Sequence, residues 1–579
     1  MTGYPSIDKP WLKYYSEETI NTPVPECTVY ENIYQNNRND LANIALEYFG
    51  NKITYGEMFE KVEVAKKALL ANGVKKGDSV IMFTSATPEL LYVLLALCRI
   101  GAVANMINPL FTHEQIRDRI NETGAEILLV LDQLYVKIQP IIDQLCIKKT
   151  VVISICNEMS TITKLVASGK LKKKIPYGEN VLRWKEFINA GKDLKETPDA
   201  PYEKNRALLM VYSSGTTGAS KGIVLSNDGV NAVSAHYLNP DFPYHKGDKI
   251  LQIIPIWFST GIVLSVLMPL TLGIDVIMEP VFNEQNFVKG LKKHRPEMTL
   301  TSISLWIYAV NSKELEKCDL ANMAYPFTGG ELVLPRVEER INQFLKERNC
   351  KSVLMKGYGM CELGSTVATD SLIKQKPGAT GYPMKGVTLA AFDLETNQEL
   401  KYGERGEIRV NSPARMKEYF KNPAATEAFS YVDSKGISWG KTGDVGFVDE
   451  DGFVTILGRA CDSFTGEDGK ARYCFDIEHE IYKNEQVALC EVVGLSVGDY
   501  EVPVAHLVLE KGVVTNVEKL ICQIHAACVK HLEHGYVPAG YKVCEAFPVK
   551  SGKRDMEKIK QDREGFVLPV GEEVKRVTF

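Results

Sequence analysis

The sequence predicts an α/β protein: a large N-terminal α/β domain with a β-rich subdomain, followed by a small α+β C-terminal domain. Three observations carry this. From about residue 28 to 130, helical periodicity alternates with short, uniformly apolar runs of strand length, the pattern of a mostly parallel sheet flanked by helices. From Gly381 to about Arg459, strand-like segments are separated by Gly- and Asp-rich turns. After Asp462 a polar loop leads into a unit with its own helices and strands.

Taken in order, Tyr55 to Ala71 reads as a helix opening after Thr54, Ser79 to Phe83 as a short strand, Pro88 to Arg99 as an apolar helix and Ile127 to Leu131 as a buried strand. Lys170 to Pro201, rich in Lys, Gly and Pro, reads as a surface excursion. Ala207 to Val211 is again strand-like, and α/β alternation resumes to about residue 370. Ile253 to Ile274 carries no charge and is long enough to span a bilayer. It contains Pro255, Gly261, Pro269 and Gly273 and lacks basic flanks, so a buried helix plus strand is the better reading. No integral membrane segment is expected; peripheral membrane contact is left open. Glu407 to Val410 and Phe453 to Leu457 are strands of the β-rich part. The boundary falls at Arg459 to Asp462, dividing the chain into 1–461 and 462–579. Beyond it, Asp476-Ile477-Glu478 opens a helix, Cys490 to Gly494 and Val504 to Leu509 are strands, and Val517 to Leu532 is a helix.

Composition narrows the function. With 45% hydrophobic and 24% charged residues, the chain is ordinary for a globular protein. A net charge of −5 without a long basic block argues against nucleic acid as a partner. The 13 cysteines are scattered, with no Cys-x-x-Cys pair, which points to reduced thiols and a cytoplasmic location. The N-terminus lacks a basic stretch leading into an apolar core, so no signal peptide is expected. His531 and His534 are spaced to share a helix face, but lacking further ligands they read as a solvated face rather than a metal site. Oligomeric state has no signal.

The densest chemical signal is Tyr212-Ser213-Ser214-Gly215-Thr216-Thr217-Gly218-Ala219-Ser220-Lys221-Gly222, directly after a strand. Backbone N–H groups, hydroxyls and a terminal lysine suit a phosphate, and glycines let the backbone approach it closely. A Walker A loop requires Gly-Lys followed by Ser or Thr; here Lys221 follows Ser220 and precedes Gly222, so that pattern fails.

Ser-Gly-Thr-Thr-Gly with a trailing Lys-Gly resembles the signature loop of the adenylate-forming superfamily: acyl-CoA synthetases, luciferases and peptide-synthetase adenylation domains. Four further segments resemble the superfamily in its order, over about residues 25 to 565. Thr328-Gly329-Gly330-Glu331 resembles the loop lining the acyl pocket and adenine. Gly357-Tyr358-Gly359-Met360-Cys361-Glu362 resembles the Tyr-Gly-x-Thr-Glu motif, with Cys361 in place of the usual Thr. Lys441-Thr442-Gly443-Asp444, with Ile456 and Gly458-Arg459, resembles the ribose-holding pair. Phe547 to Arg554 resembles the last motif, whose lysine enters the site. The resemblance implies an acid activated by ATP to acyl-AMP, then attacked by coenzyme A, with the C-terminal domain rotating between the two steps. Ser213, Ser214, Gly215, Thr216, Thr217, Gly218 and Lys221 would hold phosphates. Gly330, Glu331, Gly357, Tyr358, Gly359, Met360, Cys361, Asp444, Ile456 and Arg459 would hold the nucleotide. Glu362 would bind Mg²⁺, a hard cation that takes oxygen ligands. Lys553, Glu362 and Thr217 form the catalytic set, and Lys553 also contacts the nucleotide. Asp462 would be the hinge. Gly469 would line the coenzyme A channel, in a loop one residue longer than usual, with Cys474 where proline is frequent.

The acid is read from Pro255-Ile256-Trp257-Phe258-Ser259-Thr260-Gly261. Amino-acid-activating relatives place an Asp where this chain has Ser259, and an unpaired buried ammonium would be costly. The acyl pocket is therefore assigned to Trp257, Phe258, Ser259, Trp306, Gly329 and Gly359, with Ile307 nearby, and to a hydrophobic carboxylic acid, a fatty acid first and then an aryl or steroid acid. The aromatics also read as plain core packing. A stand-alone enzyme loading a carrier protein and a non-catalytic nucleotide-binding homologue fit the same motifs.

Overall fold

The computed structural model describes residues 1–171, 173–195, 197–213, 220–510, 512, 516–550, 553–571 and 573–579, by backbone alone at 168, 170, 549, 550 and 553. Two large sheets dominate. One runs in the order Glu418–Tyr419, Gly222–Ser226, Ala207–Tyr212, Val103–Met106, Ser79–Phe83, Ile127–Leu131, Lys149–Ile153, Val181–Arg183. From Ala207–Tyr212 onward its neighbours are parallel; the first two strands form an antiparallel edge. The other runs Tyr382–Pro383, Ser365–Thr369, Met355–Met360, Tyr325–Gly329, Met298–Thr301, Lys249–Gln252, Asp275–Met278, Ile44–Tyr48, Asn51–Thr54. It is parallel between Met355–Met360 and Ile44–Tyr48 and antiparallel at both ends.

The helices Tyr55–Ala71, Pro88–Ile100 and Asn227–Tyr237, and the helical run Thr260–Leu272, contribute to one apolar cluster that draws on both sheets. Outer helices, Ile303–Val310 and Pro335–Glu347 on one side and His113–Thr123 on the other, close two further clusters. Strands covered on both faces are apolar throughout rather than alternating. Pro88–Ile100 is apolar all round for the same reason, being buried on nearly every side. Local signals agree: Thr54 and Glu57 form a capping box that starts Tyr55–Ala71, and Thr112 with Gln115 does the same for His113–Thr123.

Three sequence expectations are corrected. The excursion after Lys170 contains the strand Val181–Arg183 and the helix Trp184–Asn189, which extend the parallel sheet at its edge. The uncharged Ile253 to Ile274 holds the buried helical run but no strand; the flanking strands are Lys249–Gln252 and Asp275–Met278. The helix expected to open at Asp476 starts at Cys474. Among the described residues no helix is long and apolar enough to cross a membrane, and no cysteine forms a disulfide.

Thr388–Phe392, Gly406–Asn411, Ser430–Val432, Ser438–Val448 and Val454–Arg459 build an antiparallel sheet. From Ser463 onward the chain forms a hairpin, then a sheet of Val487–Val497, Tyr500–Leu509, Gly540–Val543, Phe566–Val570 and Glu573–Val577, covered by Cys474–Ile481 and Val517–His531. Among the described residues, the following groups join this part to the rest. The Phe475 ring lies so closely on Gly458 that a Cβ there would come within 2.2 Å of it, and Tyr473 stacks on Phe475 at 4.8 Å. Arg405 pairs with Asp476 at 3.0 Å, and the Arg336 guanidinium donates to the Asn484 and Val487 carbonyls.

Candidate active site

The strands Ala207–Tyr212 and Gly222–Ser226 pair antiparallel and bring Ser213 and Lys221 together at the neck of the phosphate-type loop. The Ser213 N–H donates to the Lys221 carbonyl at 3.0 Å, the Lys221 N–H donates to Ser213 Oγ at 3.0 Å, and the Ser220 hydroxyl donates to the Ser213 carbonyl at 2.6 Å. Ser214, Gly215, Thr216, Thr217 and Gly218 lie outside the described residues. The exposed Lys221 ammonium sits 4.8 Å from the centre of the Tyr419 ring. The Tyr419 hydroxyl donates to Glu362 Oε1 at 2.8 Å. Lys221, Tyr419 and Glu362 thus form one line from the loop neck to a buried carboxylate. Burial, then Glu362, pushes the Tyr419 pKa far up, so the phenol stays protonated and remains the donor.

Glu362 is held from its backbone as well, its carbonyl accepting from the Met416 N–H at 2.7 Å. It sits on the tight turn Cys361–Leu363 between the strands Met355–Met360 and Ser365–Thr369. Their register shifts between Tyr358 and Gly359, and a Cβ on Gly359 would lie 1.7 Å from the Ser365 carbonyl oxygen. Only glycine allows that approach. Gly357, Tyr358, Met360 and Cys361 are half-buried on the same strand and turn. At the neighbouring strand end, Gly329 backs onto the Gly357 carbonyl, while Gly330, at φ +81°, and Glu331 are exposed.

Tyr358 links this strand to the β-rich part. Its hydroxyl donates to Asp444 Oδ2 at 2.6 Å, and Arg459 Nη1 donates to Asp444 Oδ1 at 2.8 Å. Antiparallel pairing places Asp444 opposite Arg459, with Ile456 opposite Gly446. Burial raises the Asp444 pKa, against the pull of Arg459 and the Tyr358 bond. Both carboxylate oxygens keep a second acceptor site. Among the described residues no group of three or more His, Cys, Asp or Glu could hold a metal ion. A single buried carboxylate still suits Mg²⁺, which is commonly held by one or two carboxylates together with substrate phosphates and water.

The segment before the buried helical run carries Trp257 and Phe258, both half-buried with ring centres 6.3 Å apart. Ser259 is fully buried, and its hydroxyl has no hydrogen-bond partner. Thr260 meets Ser365, hydroxyl to hydroxyl, at 3.2 Å. Trp306 is a correction: it is fully buried in the outer cluster, 5.3 Å from the Phe287 ring, with its indole N–H donated to the Phe327 carbonyl. It belongs to a different apolar cluster from the one Trp257 packs against. The adjacent Ile307 is exposed.

In the C-terminal part, Asp462 lies on the turn between Val454–Arg459 and Ser463–Thr465; its carbonyl accepts from the Cys474 N–H at 2.9 Å. Gly469 is exposed at the tip of the hairpin, at φ +74°. Lys553 has its backbone paired with Lys550, and its side chain lies outside the described residues. His531 bonds to Glu480 at 2.7 Å. The residue that sequence reasoning missed is Tyr419. It lies in a two-residue strand far along the chain, and only its pairing with Ile223 brings it to the loop.

The profile of the AMP-binding enzyme family matches residues 33–420. A long-chain-fatty-acid–CoA ligase of Bacillus subtilis is 26% identical, over 88% of this chain and 91% of its own. A probable 4-coumarate–CoA ligase of Dictyostelium discoideum is 25% identical, over 94% and 98%. Among solved structures, ATP-bound MatB from Rhodopseudomonas palustris superposes with a TM-score of 0.77 at 21% identity, covering 92% of this chain and 98% of its own. The anthranilate CoA ligase AuaEII in complex with anthranoyl-AMP gives 0.77 at 20%, covering 94% and 98%. These structures share the mixed α/β architecture. The family profile spans more than half of the chain, and the chain belongs to the AMP-binding enzyme family.

Proposed function

We propose that this chain is an AMP-forming acid–thiol ligase that converts a hydrophobic carboxylic acid, a fatty acid first, into acyl-AMP and then into acyl-CoA. The observation that carries the reading is the Lys221–Tyr419–Glu362 series of contacts at the loop neck, together with the Tyr358–Asp444–Arg459 cluster, which joins it through the strand and turn that carry both Tyr358 and Glu362. Three curated relatives named as CoA ligases, from Bacillus subtilis, Dictyostelium discoideum and Arabidopsis thaliana, support the same reaction class.

In this reading a substrate carboxylate oxygen attacks the α-phosphorus of ATP and pyrophosphate leaves. Both reactants are anionic, so positioning and charge stabilisation do most of the work. Ser213 to Gly218 and Lys221 hold phosphates. Tyr358, Ile456 and Glu331 flank the base, while Asp444 and Arg459 hold the ribose hydroxyls. Glu362 would hold Mg²⁺, which would supply charge neutralisation to the phosphates. Lys553 stabilises the charge that builds between carboxylate and α-phosphate. In the second step the coenzyme A thiol attacks the acyl carbonyl carbon and AMP leaves. The chain works as two domains, 1–461 and 462–579, turning about Asp462, with the Gly469 hairpin lining the thiol channel. Trp257, Phe258 and the buried, uncharged Ser259 favour an apolar acid over an amino acid.

A mass-spectrometric assay with ATP, Mg²⁺, coenzyme A and pooled fatty, aryl and steroid acids tests this. AMP together with one acyl-CoA is the expected result, and the acid consumed names the substrate class. Acyl-AMP alone would move the acceptor to a carrier protein. ADP as product, or ATP untouched by both the wild type and Cys361→Thr, would overturn the reading.

A further inference from the structure

The helix Thr161–Leu171 presents two unlike faces. Thr163, Ala167 and Leu171 face the body of the protein: Thr163 bonds Ser160 at 2.9 Å, Ala167 and Leu171 pack on the main core cluster, and the Leu171 carbonyl accepts from Gln133 at 2.7 Å. The other face carries Ile162, Leu165 and Val166, which are 79%, 76% and 71% exposed. Single exposed apolar residues are normal, but nowhere else among the described residues do three so exposed fall within two helical turns. The sequence around them is one-signed. From Ser160 to Gly178 it contains Lys164, Lys170, Lys172, Lys173 and Lys174 and no acidic residue, in a chain whose net charge is −5. Lys173 and Lys174 are exposed, and Lys164 lies at the rim, donating to the Asn157 carbonyl.

We propose that this helix docks the protein onto an anionic lipid surface, with Ile162, Leu165 and Val166 entering the headgroup–acyl boundary and the exposed Lys173 and Lys174 meeting the lipid charge. An apolar face alone, or a basic cluster alone, gives marginal membrane binding; the two together act as a paired signal. The charge complementarity selects lipid over a second copy of this chain, whose matching face would bring like charges together. The placement also serves a water-poor substrate. The strand leading to this helix, Lys149–Ile153, runs parallel to Ala207–Tyr212, so the helix and the phosphate-type loop both follow C-terminal strand ends of one sheet. The two strands themselves are four steps apart in the sheet, about 19 Å at the usual interstrand spacing.

Co-sedimentation with vesicles tests this and needs no enzyme activity. The full-length protein should pellet with phosphatidylglycerol–phosphatidylcholine vesicles and remain in solution with pure phosphatidylcholine. Ile162→Glu with Leu165→Glu should lower the partition by at least about tenfold. Lys173→Gln and Lys174→Gln should each lower it by about fivefold, and raised salt should mimic them. All four sites are exposed, so the melting temperature should not move. No binding to the anionic vesicles, equal binding to both kinds, or binding unchanged in these variants would overturn the proposal. So would a wild type that is dimeric and lipid-free while Ile162→Glu with Leu165→Glu is monomeric.

Discussion

Tyr358→Phe isolates one hydrogen bond. The substitution keeps the ring and deletes the hydroxyl that donates to Asp444 Oδ2 at 2.6 Å. Asp444 is buried, and its other charge-assisted donor is Arg459. Removing one of two partners from a buried carboxylate costs about 1–3 kcal/mol, which corresponds to roughly a 5- to 150-fold loss in an equilibrium constant at about 1.4 kcal/mol per decade. If Tyr358 orients Asp444 for the ribose, the loss appears as a higher KM and Kd for ATP, with kcat nearly unchanged, because the phosphate-side groups are untouched. The sign in pH follows from the same bond. The Tyr358 donor lowers the Asp444 pKa, so its loss raises that pKa. The acidic limb of kcat/KM for ATP should move to higher pH, by about one pH unit for each 1.4 kcal/mol lost. ATP titration by calorimetry and a pH series on the wild type and Tyr358→Phe give both numbers. An unchanged or tighter ATP affinity would refute the reasoning, because Tyr358 would then be competing with the ribose for Asp444. Combining the variant with Asp444→Asn should show strong non-additivity.

Further outcomes follow from the same geometry. Tyr419→Phe removes the donor to Glu362 and should raise the Mg²⁺ concentration needed for half-maximal adenylation by about tenfold, on about 1.5 kcal/mol for a hydrogen bond to a charged group; an unchanged Mg²⁺ titration would separate Glu362 from the metal. Gly359→Ala forces a Cβ into the Ser365 carbonyl and should lower the melting temperature and ATP binding together, measured by thermal shift with and without ATP. Glu89, fully buried in the first turn of Pro88–Ile100, has its pKa raised to about 8, by burial first and then by Glu158. Its folded pKa lies above the ordinary 4.5, so its contribution to stability is present below about pH 4.5 and is lost as pH rises through about 8. Glu89→Gln should gain melting temperature on the wild type between pH 5 and 8.5, and parallel curves would contradict this. Lys553→Ala should lower acyl-adenylate formation by about 10²-fold or more while sparing thioester formation from supplied acyl-AMP; equal loss in both steps would remove Lys553 from its proposed role.

Much of the fold was legible because its signals are local. Thr54 with Glu57 marks the start of one helix, and strands buried on both faces are apolar from end to end, as in Ile127–Leu131. What failed was whatever depends on distant pairing. Val181–Arg183 looked like a polar excursion because an edge strand needs few apolar side chains. Trp306 read equally as pocket wall and as core, because a buried indole in a pocket and one in a core have the same neighbours in sequence; only the packing against Phe287 separates them. Tyr419 gave no signal, since its place beside Lys221 and Glu362 comes from a two-residue strand that pairs with Gly222–Ser226. The motif residues themselves were readable because glycine is required where backbone meets backbone, as at Gly359.

The contact between the Phe475 ring and Gly458 has a mechanical consequence. A flat ring on a bare backbone is a bearing surface: it presents no knob, so shear across it meets no side chain that must first change rotamer. The neighbouring Arg405–Asp476 pair is exposed and worth at most about 1 kcal/mol. Under the rotation proposed above, any side chain at position 458 would act as a tooth in that bearing: the Cβ of an alanine would fall 2.2 Å from the ring and oblige Phe475 to shift, so the expected effect is slower interconversion between the two arrangements without touching a single reacting atom.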